Sequence, residues 1–484
     1  MKLIEDTTFA RLRELLSNPL QDEEWNKKFY SLLRAKFKEE KDVYEELWIP
    51  YCEGHKKTLE QAIKMVRSIE ELEEWSKMVP FAFFYLHLDF HSIGNEGCIA
   101  LTKVSALKNL RRLHLCDNSI GVEGCIALAN SESLNDLQIL NLSQNEIGEE
   151  GCIALINSNN LSNLRILELS GCSIYDECCV AFANSEALHN LRKIDLSCNN
   201  IYDEGCIALA QSPVLINLQK LSLSFNNISS KGCIVISKSL YLRNLQELHL
   251  CDNQIDDGGC IALANSETLS NLQALHLCDN QIGDKGCIEI ANSKVLRNLQ
   301  ILNLCTNEVG VKGCITLANS ELLRALRELD LGGNKIGDEG CIALANSKYL
   351  INLQALYMNG CEIGNEGCFA LSSSVYINNL RELDLDGNKI GDEGCIALAN
   401  SENLNSLQEF DLAQNEIGVK GYLALVCSIT LIKKIRRKYI HKVKKDNLIE
   451  KAREYKIEEE LNNLEKEEIA ELIWKVRKEQ ERLL

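Results

Sequence analysis

The residues best suited to chemistry are a histidine and a cysteine in the triplet His-Leu-Cys. The triplet stands at residues 249–251 and again at 276–278. Residues two apart on a strand share one face, and neighbouring strands lie about 4.8 Å apart. The two histidines and two cysteines therefore have the types and spacing of a zinc site. Repeat duplication gives the same arrangement without a metal, and one triplet stands alone at 114–116, so we predict no metal and no cofactor.

Motifs of the common enzyme classes are absent from the sequence. It contains no GxxxxGK[ST] phosphate loop, no HExxH, no GxSxG and no paired CxxC. The carboxylates recur at the spacing of a repeat and do not form an acid–base pair. We therefore expect that the protein is not an enzyme.

The motif Gly-Cys-Ile-Ala-Leu, or a close variant, organises most of the chain. It recurs every 27 residues without an insertion, and a fixed period of this size indicates stacked repeats. Tyr422 takes the thirteenth position, so the sequence predicts thirteen strand–helix units. The other twelve positions are cysteines: Cys98, Cys125, Cys152, Cys179, Cys206, Cys233, Cys260, Cys287, Cys314, Cys341, Cys368 and Cys395.

One unit, LRELDLGGNKIGDEGCIALANSKYLIN, illustrates the physics of all of them. Leu329 and Leu331 alternate in a short strand, so both point to one face. Asn334 ends the strand, and its side chain can bond to the backbone of the bend. Asp338 is placed to cap the following helix. Gly340 is predicted to let that helix approach the strand closely.

Two positions of the unit recur with little change. The strand-ending asparagine is present in ten units, and the residues that replace it elsewhere, Cys172, Cys361 and His91, can still form hydrogen bonds. The helix carries one apolar stripe at i, i+3 and i+4, namely Cys341, Leu344 and Ala345.

The recurring cysteines are too far apart to pair with one another. They lie on adjacent parallel helices, which pack about 8–10 Å apart, whereas a disulfide needs Cα atoms within about 7 Å. We expect buried thiols that act as small hydrophobic residues. A chain with 22 cysteines used in this way is typical of a reducing compartment, so the predicted location is cytoplasmic, in its own cell or in a host.

The pattern LxxLxLxxN followed by a helix resembles the leucine-rich repeat of the ribonuclease-inhibitor-like class. The run GCIALANSxxLxNLxxLxLxxNxIGDE looks most similar to bacterial GALA-type repeats. The resemblance covers residues 84–431 and implies an α/β solenoid, a right-handed horseshoe with parallel strands on its concave face and helices on its convex face. It also implies protein binding. Some GALA-type proteins carry an F-box that recruits a ubiquitin ligase, but this sequence has no F-box pattern.

The two ends of the chain differ from the repeats. Residues 1–83 hold three of the four tryptophans and are predicted to be helical, as a cap on the first repeat or as a separate recruiting module. Residues 432–484 begin with the basic run Lys433–Lys445 and continue as an amphipathic helix. The run could belong to a capping helix, neutralise the acidic repeats, dock on anionic lipid, or mark a nuclear-localisation or nucleic-acid patch. With no run of 18 apolar residues, we expect no membrane span.

Charge and sequence variation point to one surface. Residues 84–422 carry a net charge of −19, against −3 before them and +4 after them, so their field should attract a basic partner and repel nucleic acid. The residue between the two inward leucines varies from unit to unit and faces the concavity, although this variation could be drift on a solvated surface. The predicted partner-binding residues are Glu328, Asp330, Tyr357, Glu382, Asp384, Asp386, Glu409, Asp411, His249 and His276.

These observations predict a protein–protein interaction scaffold that binds a partner protein on its concave face. Two alternatives stay open. The chain could be a ubiquitin-ligase substrate adaptor or a secreted bacterial effector, with residues 1–83 as the recruiting part. It could also be an enzyme inhibitor or regulator, as the ribonuclease-inhibitor-like resemblance implies.

Overall fold

The structure is a computed structural model that describes residues 85–428, 430–431, 433–455, 457 and 464–483. The chain divides into two compact units, with the boundary between Glu168 and Leu169. The helices predicted in residues 1–83, and the choice between a cap and a recruiting module, lie outside the described residues.

The first unit contains four short strands and three α-helices within its described part. Each strand pairs in parallel with the next along the chain, and the middle residues Leu86, Leu113, Leu140 and Leu167 are in register. The strands are β1 (Tyr85–His87), β2 (Arg112–His114), β3 (Ile139–Asn141) and β4 (Ile166–Glu168). The helices are α1 (Gly94–Leu101), α2 (Val122–Ala129) and α3 (Gly148–Ile156).

The second unit continues the alternation of one strand and one helix. Its strands are again parallel, paired in chain order and in register. They are β5 (Lys193–Asp195), β6 (Lys220–Ser222), β7 (Glu247–His249), β8 (Ala274–His276), β9 (Ile301–Asn303), β10 (Glu328–Asp330), β11 (Ala355–Tyr357), β12 (Glu382–Asp384) and β13 (Glu409–Asp411).

The helices of the second unit follow the same period through the one after the last strand. These are α4 (Asp176–Asn184), α5 (Asp203–Ala210), α6 (Ser230–Ile236), α7 (Asp257–Ala264), α8 (Asp284–Asn292), α9 (Val311–Ala318), α10 (Gly337–Ala345), α11 (Asn365–Ser373), α12 (Asp392–Ala399) and α13 (Val419–Val426). Three helices come after them: α14 (Lys433–Tyr439), α15 (Lys445–Glu454) and α16 (Lys466–Leu483). The prediction of thirteen strand–helix repeats with parallel strands is confirmed.

The core lies between the strands and the helices. In β10 the side chain of Leu329 is fully buried, as is Leu331 just beyond the strand. Glu328 and Asp330 are half-buried and point away from the core. The predicted helix stripe is buried as well: Cys341, Leu344 and Ala345.

Asparagine side chains join neighbouring repeats at the strand ends, as predicted. The amide nitrogen of Asn334 donates to the carbonyl oxygens of Leu304 and Leu331, at 2.8 and 2.9 Å. It also lies 3.3 Å from the carbonyl oxygen of Gly332. Its amide oxygen accepts from the backbone N–H of Val309 at 2.9 Å. One buried side chain thus satisfies backbone groups in two consecutive repeats.

Where another residue replaces the asparagine, a hydrogen bond remains. The thiol of Cys361 donates to the carbonyl oxygen of Leu331 at 3.1 Å. The thiol of Cys172 lies 3.6 Å from the carbonyl oxygen of Ser170. These contacts confirm the expectation for the replacing cysteines.

The prediction that Asp338 caps its own helix is wrong. Helix α10 begins at Gly337, so Asp338 lies inside its first turn. Its carboxylate accepts instead from the backbone N–H groups of Gly364 and Gly367, at 2.7 and 2.8 Å. Gly367 is in the first turn of α11, where N–H groups lack partners within the helix. Each such carboxylate therefore satisfies the beginning of the next helix, a link that a single repeat cannot reveal.

The predicted role of Gly340 also needs correction. A Cβ atom placed on Gly340 would lie 3.1 Å from the sulfur of Cys314 and 2.9 Å from Cβ of Ile336. Cys314 belongs to α9, the preceding helix. The glycine thus permits close packing between neighbouring helices rather than between helix and strand.

The recurring cysteines fill the space between helices. All twelve are buried. Eleven are buried thiols, whereas Cys152 takes part in a disulfide. Burial raises the pKa of the Cys98 thiol to about 12, as expected for a group that loses its hydration. The prediction of buried thiols is confirmed for these eleven positions.

Helix α14, the first of the C-terminal helices, contacts the last strand. The hydroxyl of Tyr439 donates to the carbonyl oxygen of Phe410 at 3.0 Å and accepts from the N–H of Leu412 at 3.0 Å. The buried guanidinium of Arg436 lies 4.8 Å from the ring centre of Trp474. The two bonds of Tyr439 satisfy backbone groups at an edge that would otherwise leave them unpaired. They match the capping alternative for the basic run.

Candidate functional site

The face of the sheet opposite the helices is here called the open face. It is formed by the first and third residues of each strand, because the middle residue points into the core. In the second unit most of these residues are half-buried, as the strands β7 and β10 illustrate. The variable column predicted from the sequence lies on this face.

Carboxylates and one tyrosine gather on the open face of strands β10–β12. The register places Asp330, Tyr357 and Asp384 side by side in the third strand position. Glu328 and Glu382 stand in the first position, separated by Ala355 on β11. We call Glu328, Asp330, Tyr357, Glu382 and Asp384 the acidic cluster.

Tyr357 is fixed within the acidic cluster by a neighbour. Its hydroxyl donates to Oε2 of Glu382 at 2.5 Å. Burial and the bond to Glu382 raise the pKa of the phenol well above its ordinary value, so Tyr357 stays a neutral donor at physiological pH. Because Ala355 is small, the ring on β11 has room to reach across to β12. The aromatic face and the carboxylate are thereby presented together.

Burial and mutual repulsion raise the pKa of three carboxylates of the acidic cluster. Burial, with the nearby charges of Asp330 and Glu382, raises the pKa of Glu328. Burial is also the main cause of the raised pKa of Asp330, to which Asp384 adds repulsion. The pKa of Asp384 is raised by burial and by Asp411 and Asp386, against an opposing effect of Lys438. A cationic group placed here would relieve this repulsion.

The C-terminal end of the predicted site is partly neutralised by the chain itself. Lys438 on α14 lies 2.7 Å from Oδ2 of Asp411. Although burial alone would raise the pKa of Asp411, the hydrogen bond from Lys438 lowers it. The second carboxylate oxygen of Asp386 accepts from Gln414 at 3.2 Å. Asp386, Glu409 and Asp411 therefore border the acidic cluster, and Asp411 is already paired.

The two predicted histidines lie apart from the acidic cluster. His249 and His276 stack on one another, with ring centres 4.2 Å apart and planes 7° from parallel. They stand on β7 and β8, and β9 separates them from β10. Lys220 binds Glu247 at 2.5 Å, and Glu247 lies 3.5 Å from Nε2 of His249. The structure thus does not join the histidines to the carboxylates.

We predict that His276 stays neutral well below the ordinary histidine pKa. Burial, with His249 and Lys220, lowers its pKa from 6.5 to about 4. The folded pKa is therefore below that of the unfolded chain. Between these two pH values the unfolded chain binds the proton and the folded chain does not. The contribution of His276 to stability is therefore complete above pH 6.5 and is lost as the pH falls toward 4.

An NMR titration of the histidine ring signals, assigned with His276→Asn, would check this. The native His276 signal should titrate more than one pH unit below the same residue in the denatured chain. A native midpoint near 6.5 would contradict the result.

The four residues considered for zinc are arranged differently from a metal site. Cys251 and Cys278 are joined as a disulfide, with their Cα atoms 4.5 Å apart. The histidines stack on each other instead of converging on a shared point. Among the described residues, a different set brings possible ligand atoms within 4.8 Å of one another: Cys278, Asp279 and Cys305.

Sequence reasoning missed a polar groove beside the acidic cluster. It has a volume of about 500 Å³ and is lined by Arg327, Arg381, Gln354, Asn352 and Asn379, among others. The arginines directly precede the two glutamates of the acidic cluster in the duplicated run Leu-Arg-Glu-Leu-Asp. This duplicated run was the sequence signal from which the groove could have been predicted. A positive border thus lies next to the negative surface.

Comparison with known families identifies the repeat. The family described as Leucine Rich repeat matches residues 106–129, 133–155, 187–210, 214–237, 241–264, 268–291, 323–345, 349–372, 376–399 and 403–426. The chain is therefore a leucine-rich-repeat protein. No curated protein matches the sequence.

Solved structures of other repeat proteins are similar in part. An internalin from Listeria monocytogenes is 22% identical, with a TM-score of 0.45, and the match covers 72% of this chain and 94% of that one. A leucine-rich-repeat protein of Leptospira interrogans is 23% identical, with a TM-score of 0.42 and coverages of 77% and 97%. The TLR13–ssRNA13 complex matches at 20% identity and a TM-score of 0.35, covering 67% and 54%.

The longest helix of the described residues is α16, with 18 residues. None of their helices is both long enough and apolar enough to cross a lipid bilayer.

Proposed function

We propose that the protein is an interaction scaffold that binds the basic surface of another protein through the acidic cluster. The observation that carries this proposal is the placement of Tyr357 between Asp330 and Asp384, with its hydroxyl bonded to Glu382. An aromatic residue held at the centre of a charged rim is typical of protein interfaces.

The chemistry of the cluster supports a basic partner. Three of its carboxylates have raised pKa values because burial and neighbouring carboxylates disfavour their charged forms. A lysine or arginine from a partner would stabilise the charged form of each carboxylate that it approaches. Among side chains, arginine can bond to two carboxylate oxygens and also stack on the tyrosine ring.

The groove beside the acidic cluster makes the expected charge pattern of the partner's surface more specific. Arg327 and Arg381 line it next to Glu328 and Glu382. A partner whose basic residues are flanked by a carboxylate or by backbone carbonyls would complement both surfaces. Such complementarity determines specificity and association rate more than it adds affinity.

The proposed scaffold works without catalysis and in a reducing compartment, where disulfides such as Cys251–Cys278 would be reduced. Buried thiols with raised pKa values are poor nucleophiles, because the thiolate is the reactive form. The ribonuclease-inhibitor-like class, the GALA-type likeness and the cytoplasmic location belong to this proposal. The adaptor and effector alternatives depend on residues 1–83, which lie outside the described residues.

The test compares capture of partners by the full chain and by two variants. Glu328→Lys combined with Asp384→Lys should reduce capture of the main bound protein by at least about tenfold, since like charges would then face each other. Glu402→Lys is the matched control, because this exposed glutamate lies in the loop after α12. Equal capture by all three forms, or equal loss with Glu402→Lys, would overturn the proposal.

A further inference from the structure

Three cysteines occupy the same position on three neighbouring repeats. Cys251, Cys278 and Cys305 each stand two residues beyond the last residue of β7, β8 and β9. The strands are in register, so these cysteines are neighbours across the sheet. Each is displaced by two residues from the end of its strand and therefore shares the open face with that residue.

The backbone holds these cysteines firmly. The N–H of Asp279 donates to the carbonyl oxygen of Cys305 at 3.0 Å. The amide nitrogens of Asn280 and Asn307 donate to the carbonyl oxygens of Cys278 and Cys305, each at 3.0 Å. A ligand set on a rigid backbone loses little conformational entropy when it binds an ion.

The ligand atoms already lie at suitable separations. The sulfur atoms of Cys278 and Cys305 and a carboxylate oxygen of Asp279 are all within 4.8 Å of one another. Two thiolates on one tetrahedral zinc ion, each bonded at about 2.3 Å, lie about 3.8 Å apart. The set therefore needs only side-chain adjustment. The third sulfur, on Cys251, adjoins Cys278.

We propose that, once the Cys251–Cys278 disulfide is reduced, Cys278, Asp279, Cys305 and Cys251 form a binding site for a thiophilic divalent cation of the zinc type. Three thiolates and one carboxylate suit such an ion, because soft sulfur ligands select zinc over magnesium or calcium. The site adjoins the acidic cluster at Asp330, but it does not depend on the proposed protein binding.

Metal binding and the disulfide exclude each other, because both require the sulfur of Cys278. Reduction by a dithiol transfers two electrons and two protons to the Cys251–Cys278 bond, and the dithiol closes its own disulfide. The cation then replaces the protons of the three thiols, which pass to solvent. The oxidised chain should therefore not bind the ion.

The surrounding charges favour a cation. The thiol of Cys305 is hydrogen-bonded to the carboxylate of Asp330. The carboxylates of Asp252 and Asp279 lie close enough to repel each other. A divalent ion would relieve this repulsion.

The test titrates the reduced full chain with Co²⁺ under anaerobic conditions. We expect one equivalent to give the thiolate charge-transfer and visible bands of a tetrahedral cobalt site, and Zn²⁺ to abolish them. Cys305→Ser should weaken cobalt binding by at least about tenfold. Serine occupies the same repeat position at Ser143 and Ser224, so this variant is compatible with the fold.

Cys116→Ser is the matched control, because Cys116 holds the same repeat position with Ser143, not a cysteine, on the next repeat. It should bind Co²⁺ like the unchanged chain. Alkylation followed by mass spectrometry gives a second readout, in which Zn²⁺ should protect Cys251, Cys278 and Cys305 but not Cys116. The proposal is overturned if the reduced chain shows no tetrahedral thiolate spectrum, if Cys305→Ser binds normally, or if the oxidised chain binds equally well.

Discussion

Replacing Asn334 by alanine is expected to lower the free energy of unfolding by about 3 kcal/mol or more. The side chain is fully buried and makes hydrogen bonds to the carbonyl oxygens of Leu304 and Leu331 and to the N–H of Val309. Alanine would leave these backbone groups buried without a partner. Each such group costs about 1–3 kcal/mol, less any relief from water that enters the gap.

The chain offers a graded series at this position. Cys361 occupies the corresponding site of the next repeat and still donates to the carbonyl oxygen of Leu331. Asn334→Cys should therefore lose less stability than Asn334→Ala, because one of the donors remains. Neither change alters the apolar core formed by Leu329 and Leu331.

Urea unfolding of the full chain, followed by circular dichroism, would measure both variants. Asn352→Ala is the control, since this exposed asparagine donates only to the carbonyl oxygen of Arg324 at 2.8 Å. Its effect should remain within about 0.5 kcal/mol. An Asn334→Ala variant as stable as this control would show that the buried ladder is not a main source of stability.

The repeat was predictable because its period repeats one physical solution many times. Alternating leucines such as Leu329 and Leu331 fix the buried face of a strand, and the 27-residue spacing fixes the register between neighbours. Asn334 was recognised for the same reason, as its bonds lie at a strand end. These contacts depend on one repeat and its neighbour.

Other features depend on a side chain that bonds to the following helix instead of its own, or on the helices that come after the last strand. Asp338 bonds to the first turn of α11 instead of its own helix. Lys438 lies close to Asp411 only because α14 folds back onto β13. Sequence periodicity does not indicate that α14 packs against β13. The sequence therefore predicts Asp411 as a free carboxylate of the acidic surface, whereas Lys438 pairs with it.

The candidate site was predictable in part for a similar reason. Asp330, Tyr357 and Asp384 follow from the register alone, and the structure brings them together. His249 and His276 were grouped with them because they share the same column, although β9 lies between. The repeat pattern identifies the residues that share the open face. It does not show which of them lie close enough together to form one binding surface.

The second large expected effect is on partner binding, and it differs between the tyrosine and the carboxylates of the acidic cluster. Tyr357→Ala should weaken partner binding by about 2 kcal/mol, mainly through faster dissociation, if the tyrosine is the buried anchor of the interface. Charge reversal at Glu328 and Asp384 should instead slow association and flatten its dependence on salt, because rim charges guide the encounter. Tyr357→Phe separates the ring from its bond to Glu382 and should fall between the alanine variant and the unchanged chain.

None of these substitutions should unfold the repeats. Tyr357, Glu328 and Asp384 all lie on the open face, and their neighbours Leu329, Leu356 and Leu383 keep the core contacts. Circular dichroism of each variant would confirm this. A change in binding can then be assigned to the surface itself.

The most direct test of the central claim is the binding kinetics of the captured partner at low and at physiological salt. For the unchanged chain we predict fast association that slows as salt increases, since salt screens the attraction between a basic partner and exposed carboxylates. The variant with Glu328→Lys and Asp384→Lys should lose that dependence, whereas Glu402→Lys should keep it. If all three proteins bind with the same rates and the same salt dependence, the partner does not bind at the acidic cluster.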